Sequence, residues 1–323
     1  MEAGPVSAAV GRFAPSPSGR LHLGNLACSL LAWLSAKRQG GRIVLRIEDL
    51  DAERCPRRYA DQLEEDLAWL GLVWDEGGSR GGPHPPYYQS ECSGIYAESY
   101  RKLEAMGLVY PCFCSRSQLH AASAPHTSDG NVIYPGTCRG LTAAEIAEKR
   151  KKKAPAYRLM VPDEDVTFTD GCMGVHTENL LHDCGDFYLR RADGVFAYQL
   201  AVVVDDARMG VTEVVRGADL LSSTARQLYL YRLLGLPAPD EVIYLQVDPA
   251  VSQKLMTGRY HGDESRKDVH EKDTEYLARS RRAAEYCAEH LGWATVHCTV
   301  DGAMRTIEDI QAEVQALAGN VLG

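Results

Sequence analysis

GRFAPSPSGRLHLGN, Gly11–Asn25, joins a strand-like entry to a helix-like run through a turn rich in serine, proline and glycine. Val10–Phe13 reads as a short strand, and Pro15 and Pro17 keep the connection irregular. From Leu21 to about Lys37, Leu21, Leu26, Leu30 and Leu34 recur at helical spacing, with Trp33 adding bulk. Gly40–Gly41 ends that helix, and Arg42–Ile47 reads as a buried strand leading into Glu48, Asp49 and Asp51. Strand, helix and strand in this order predict an α/β layer architecture. Phosphate groups favour the free N–H groups and positive field of a helix start. Gly24 permits close backbone approach, His22 can donate to an anionic oxygen, and Asn25 sits beside the same field. The stretch therefore reads as a nucleotide-binding turn, and its plainer alternative is a surface loop before a packed helix.

The rest of the chain sets limits on function. It has 323 residues, enough for a large core and two or more structural units. A net charge of −9 excludes a uniformly basic nucleic-acid coat, although local basic faces still contact phosphate inside an acidic protein. Met1–Ala9 lacks the pattern of a secretory signal, and no apolar run reaches membrane-spanning length, so the expectation is a cytoplasmic protein without a membrane partner. The ten cysteines are scattered, unlike a secreted disulfide framework, and most read as small buried side chains. Cys112-x-Cys114 followed by Tyr134-x3-Cys138 is the exception. Three soft thiolates can hold zinc with a tyrosine oxygen as fourth ligand; His120 and His126 are better generic ligands, and reduced structural cysteines are the alternative. The basic run Lys149–Lys153 suits either phosphate contact or a solvated helix end.

Further elements follow from periodicity. Arg57–Leu70 predicts a helix packed through Leu63, Leu67 and Leu70, with Trp69 and Trp74 as packing residues. Tyr96, Tyr100, Leu103 and Leu108 fit another helix. Tyr157–Val161, Val166–Phe168, Phe187–Arg190 and Phe196–Val204 read as strands, the last ending in Asp205–Asp206. Arg226–Leu234 reads as a helix and Glu241–Val247 as a strand, with helices again over Tyr276–His290 and Ile307–Leu317.

RFAPSPSG, HLGN, RIEDLD (Arg46–Asp51), GDFYLRRADG (Gly185–Gly194), FAYQLAVVVDD (Phe196–Asp206) and VVRGADLL (Val214–Leu221) together resemble the class I glutamyl-tRNA synthetase family over most of Val10–Leu236. The resemblance implies a Rossmann-like catalytic fold with a zinc-bearing insertion and a short helical C-terminal region. It divides the chain into an extension over 1–9, a catalytic domain over 10–245 with an insertion at 108–190, and a nucleotide-loop-like and helical region over 246–323. Arg12 and Ser16 would hold glutamate, Glu48 its ammonium, Tyr198 would shape the pocket and Arg216 would recognise a carboxylate. Taken singly, these residues also fit structural roles: an Arg12–Glu48 salt bridge, a core aromatic and a surface arginine. His22, Gly24, Asn25 and Lys254 would serve ATP, with Mg²⁺ on its phosphates, while Cys112, Cys114, Tyr134 and Cys138 would hold a structural Zn²⁺.

The family has a short tRNA-modifying branch, which transfers activated L-glutamate to queuosine at the wobble position of tRNA(Asp). The cysteine pattern resembles that branch, and the chain after Thr257 is too short for the anticodon-binding region of the longer enzymes. The expected molecule is a monomer. Charging of tRNA(Glu) and a noncatalytic nucleotide- or tRNA-binding homologue are the other readings. One departure matters: Lys254-Leu255-Met256-Thr257 stands where a KLSK-like signature is expected, so a neutral threonine replaces a phosphate-facing lysine unless Arg259 or Lys267 compensates.

Overall fold

The computed structural model describes residues 8–21, 23–115, 133–171, 173–239, 241–245, 299–300, 303–304, 309 and 312. Its centre is a parallel layer. β1 (Val10–Phe13) pairs with β2 (Arg42–Leu45), Arg12 opposite Val44, and β3 (Glu76–Gly77) extends the sheet with Glu76 opposite Val44. On the other flank of β1 lies β9 (Glu213–Gly217), itself paired in parallel with β10 (Glu241–Leu245). Thr212 stitches that flank: Val10 N–H donates to its Oγ1 at 2.9 Å, and its own N–H donates to the Val10 carbonyl at 3.0 Å. Both strands are buried along nearly their whole length, which is why β2 reads as the apolar run Ile43–Leu45, while β1 buries Arg12 between Gly11 and Phe13.

α1 (Leu23–Arg38) packs on this layer through Ala32 and Ala36, while Leu30 and Trp33 flank the contact half-buried. The small residues are required because the helix lies close to the sheet. A Cβ at Gly11 would come within 3.0 Å of Ile43 Cδ1 and 3.2 Å of Ala36 Cβ. α2 (Arg57–Trp69) buries Ala60, Leu63 and Leu67, a stripe at three- and four-residue spacing. Each fully buried leucine contributes about 1.5–3 kcal/mol. Trp69 falls on the opposite face and is 59% exposed, so it is not the packing residue expected; Trp74 is, half-buried with Nε1 donating to the Gly77 carbonyl at 3.2 Å.

The segment expected as a strand over Phe196–Val204 is a helix, α5 (Tyr198–Arg208). Leu200, Ala201, Val202, Val203 and Val204 are all buried, so the run is apolar around the whole helix and carries no period to separate it from a core strand. It packs with α3 (Ser93–Ala105) and α6 (Thr224–Leu234), and the Tyr96 and Phe196 rings meet edge to face at 5.9 Å.

Between α3 and α5 the chain builds a separate antiparallel layer. β4 (Val109–Cys112), β5 (Ala156–Leu159) and β8 (Phe187–Arg190) form one sheet, and β6 (Asp165–Asp170) and β7 (Gly174–Asn179) form a hairpin. α4 (Ala143–Lys152) is a surface helix without a buried residue, held at its start by a reciprocal Thr142–Glu145 capping box. Tyr276–His290 lies outside the described residues; of Ile307–Leu317 only 309 and 312 are described, both helical. Among the described residues no helix is long and apolar enough to cross a membrane.

Candidate active site and metal centre

The C-terminal ends of β1, β2 and β9 converge where α5 and α6 begin or turn inward, the usual crevice of an open parallel sheet. Arg46 is completely buried there. Its Nη1 donates to Asp206 Oδ1 and its Nη2 to Glu48 Oε1 at 2.9 Å. Burial opposes its charge, but Asp206, Glu48 and Asp205 outweigh that and raise its pKa. Burial pushes the Glu48 carboxyl above its ordinary value, with Arg46 and Arg12 pulling the other way. Arg12 donates from Nη1 to the Val215 carbonyl at 3.0 Å, and its Nε lies 3.7 Å from Asp206 Oδ1.

Arg216 is also buried, but among the described residues it has no ion-pair partner. Its Nη1 donates to Gln227 Oε1 at 2.7 Å and its Nη2 to Thr224 Oγ1 at 2.6 Å, while Nε has no partner. Burial depresses its pKa. Tyr198, the first residue of α5, is within electrostatic reach of Glu48, Arg216 and Arg12, and burial raises its hydroxyl. Arg12, Glu48, Tyr198 and Arg216 are thus brought together.

The entry turn borders this group. The Pro15 carbonyl accepts the Glu48 N–H at 3.0 Å, whereas Ser16 is exposed and its carbonyl accepts from Ser18 at 2.8 Å. Gly24 and Asn25 lie in the first turn of α1. His22, Lys254, Thr257, Arg259 and Lys267 lie outside the described residues, as do His120 and His126.

The acidic residues sort by partner. Asp49 accepts from Ser90 N–H at 2.9 Å and Ser90 Oγ at 2.7 Å, and so organises a loop. Asp205 accepts from Tyr96 at 2.6 Å, Gln89 at 3.0 Å and Arg208 at 3.2 Å. Asp206 faces the arginines of the crevice together with Glu48. Thr224, Gln227 and Tyr231 escaped the sequence reading. They recur at helical spacing along α6; the first two hold Arg216, and buried Tyr231 faces Asp206, Arg46, Arg12 and Arg216. The helix also carries Arg226, Tyr229 and Arg232, so no pattern in the sequence set these three apart.

The second centre lies in the antiparallel layer. The sulfurs of Cys112, Cys114 and Cys138 all lie within 4.8 Å of one another, and could hold a metal ion. The Tyr134 hydroxyl sits 3.5 Å from Cys112 Sγ and 3.9 Å from Cys114 Sγ, and accepts the Cys138 N–H at 2.8 Å. Three soft sulfurs and one oxygen around a common point suit a tetrahedral site. Burial would raise the Cys112 thiol, but the Tyr134 hydroxyl, the Cys114 N–H and Arg158 draw it below its ordinary value. Burial and the neighbouring Cys112 push the Cys114 thiol up to about 11. The basic run at the end of α4 abuts this centre, Lys153 Nζ reaching the Phe113 and Cys114 carbonyls at 3.4 Å each.

A crevice of buried arginines at strand ends beside a helix start, with a cysteine knuckle inserted in the chain, is the layout of a class of proteins. The chain belongs to the class I tRNA synthetases of the E and Q type, whose catalytic-domain model matches residues 8–285. Within that family it is closely homologous to the glutamyl-Q tRNA(Asp) synthetase of Symbiobacterium thermophilum, with 56% identity over 234 residues that cover 71% of this chain and 72% of the relative. Glutamate–tRNA ligase 1 of Halorhodospira halophila is 51% identical over 233 residues, covering 71% of this chain and 48% of the ligase. A solved glutamate tRNA ligase from Elizabethkingia meningosepticum, in complex with its amino acid, matches with a TM-score of 0.66 at 32% identity over 75% of this chain and 50% of that one. This chain therefore spans about half the length of that solved ligase.

Proposed function

We propose that this protein activates L-glutamate with ATP and transfers the glutamyl group to queuosine at the wobble position of tRNA(Asp). The observation that carries the glutamate reading is Arg216. A guanidinium buried against only neutral acceptors is an unbalanced charge, and a ligand carboxylate entering the crevice supplies the missing counter-charge. Arg12 is the second cation available to that ligand, and Glu48 receives its ammonium group. Tyr198 closes the wall between them.

Activation then follows from alignment. An oxygen of the glutamate α-carboxylate attacks the α-phosphorus of ATP, the bond to the bridging oxygen breaks, and pyrophosphate leaves with the displaced electron pair. Developing negative charge is met by the N–H groups at the start of α1 near Gly24 and Asn25, and by His22 and Lys254. Mg²⁺, when bound with ATP, adds charge on the polyphosphate. In the second step a queuosine hydroxyl attacks the adenylate carbonyl, loses its proton, and AMP departs. Cys112, Cys114, Tyr134 and Cys138 are proposed to hold a structural Zn²⁺ that pins the insertion, outside the bond-making steps. The insertion at 108–190 within a catalytic unit at 10–245 is the matching division of the chain.

The identity to the glutamate–tRNA ligase of Halorhodospira halophila favours a second reading, charging of tRNA(Glu). Incubation with labelled glutamate, ATP and either tRNA(Asp) with queuosine, tRNA(Asp) without it, or tRNA(Glu) separates the two. Label confined to the queuosine-containing sample, mapped to the wobble nucleoside, is the expected result. Label on the terminal adenosine of tRNA(Glu) replaces the proposal with the second reading.

A further inference from the structure

We propose that Arg158 is the positioning and charge-balancing residue of the cysteine centre, setting how tightly that centre holds a divalent metal. The inference rests on Cys112, Cys114, Tyr134 and Cys138 being metal ligands. Arg158 lies in β5 and is 4% exposed, yet among the described residues it has no carboxylate partner. Its Nη1 donates to the Asp186 carbonyl at 2.5 Å, and its Nε has no partner. The guanidinium carbon lies 3.7 Å from the centre of the Tyr134 ring and 3.8 Å from that of Tyr188. It is within electrostatic reach of both Cys112 and Tyr134.

A buried arginine supported by a neutral carbonyl and two aromatic faces carries a charge that its own side-chain neighbours leave uncancelled. The cysteine centre has the opposite imbalance. Thiols bind metal as thiolates, so three of them around a divalent ion carry one net negative charge. Two opposite charges buried side by side relieve one another, whereas either alone is costly. Of the other cations near the knuckle, Lys153 is exposed, and Arg139 beside Cys138 already has Asp186 as its partner at 3.7 Å.

Arg158 also has a geometric task. By stacking on the Tyr134 ring it fixes the ring plane, while the Cys138 N–H fixes the oxygen from the other end. Together these aim the hydroxyl between Cys112 and Cys114. Stacking needs the planar guanidinium, which lysine lacks.

The test is titration of the zinc-free full chain with Zn²⁺ against a chromophoric chelator, for the wild type, Arg158→Met and Arg158→Lys. Outer-shell partners of metal ligands typically contribute about 10–100-fold in affinity. Arg158→Met is expected to lose zinc affinity on that scale, and Arg158→Lys to recover part of it. With Co²⁺ in place of zinc, the thiolate-to-metal absorption of Arg158→Met should shift, while the far-ultraviolet circular dichroism of the metal-free forms stays unchanged. Wild-type zinc affinity in folded Arg158→Met overturns the proposal. Should that variant fail to fold, Tyr188→Leu removes one aromatic support of the guanidinium; weaker zinc binding supports the proposal and unchanged binding overturns it. A wild-type chain that takes up no zinc overturns the metal reading itself, a result distinct from the loss of the Arg158 effect.

Discussion

The parallel sheet and the cysteine knuckle each bury an arginine among groups that make its charge useful, and they assemble those groups over different distances. In the sheet, Arg46 meets Asp206 across 160 positions of sequence and Glu48 two positions away, so its charge is cancelled by the fold. Arg216, in the same crevice, meets only glutamine and threonine, and its charge stays open to a ligand. In the knuckle, a local pair of loops brings the sulfurs together, and Arg158 arrives on the neighbouring strand as a cation without a carboxylate. On the proposed function, the partners separate the two: Arg46 is the cation the fold balances, and Arg216 is the one left for a ligand anion.

The contrast breaks most visibly at Asp206. Asp206→Ala leaves Arg46 with Glu48 as its ion-pair partner among the described residues and Arg12 without its nearest acid, and should destabilise the fold by roughly 3–5 kcal/mol in denaturant unfolding. A loss below about 1 kcal/mol, the scale of an exposed pair, would mean that the arginines are not charge-balanced through Asp206. Arg216→Met should show the converse pattern. Glutamate binding measured by calorimetry weakens by roughly 2–5 kcal/mol, while stability falls less than in Asp206→Ala. Equal glutamate binding by the variant and the wild type would remove Arg216 from the pocket.

Smaller effects sharpen the other side of the comparison. Cys138→Ser takes one thiolate from the knuckle, and metal retained after gel filtration should drop from about one ion per chain to well below that, by elemental analysis. Undiminished metal content would place the ion elsewhere. Thr142→Ala removes the capping box of α4, an exposed helix that supplies none of the crevice residues, and should cost about 1 kcal/mol of stability without changing glutamate affinity.

How much of this was legible in the sequence follows the same division by distance. The cysteine set could be read because its members lie in two short motifs, and the structure gathers all four. The strand–helix–strand start was legible because α1 carries helical spacing and the short runs on either side of it are set off by glycine and proline. Phe196–Val204 was misread as a strand because a helix buried on all sides leaves no alternation to count. The apolar stripe expected along α1 was drawn through its leucines, whereas the close approach at Gly11 selects Ala32 and Ala36. Arg158 and the Thr224–Gln227 clamp were invisible for a plainer reason. Nothing in a strand reading AYRL, or in a helix reading TARQ, announces which cation it will face after folding.

On the proposed function the crevice activates glutamate with ATP, and the departure to KLMT at Lys254–Thr257 makes activation the step to measure. The direct experiment is glutamate-dependent exchange of labelled pyrophosphate into ATP, with zinc-loaded protein and no RNA, for the wild type and Arg216→Met. Exchange is expected with glutamate, little or none with glutamine, and near-complete loss in the variant. A folded wild-type protein that binds ATP and glutamate yet exchanges no pyrophosphate would contradict the proposed function, and would make this chain a nucleotide-binding homologue without the activating step.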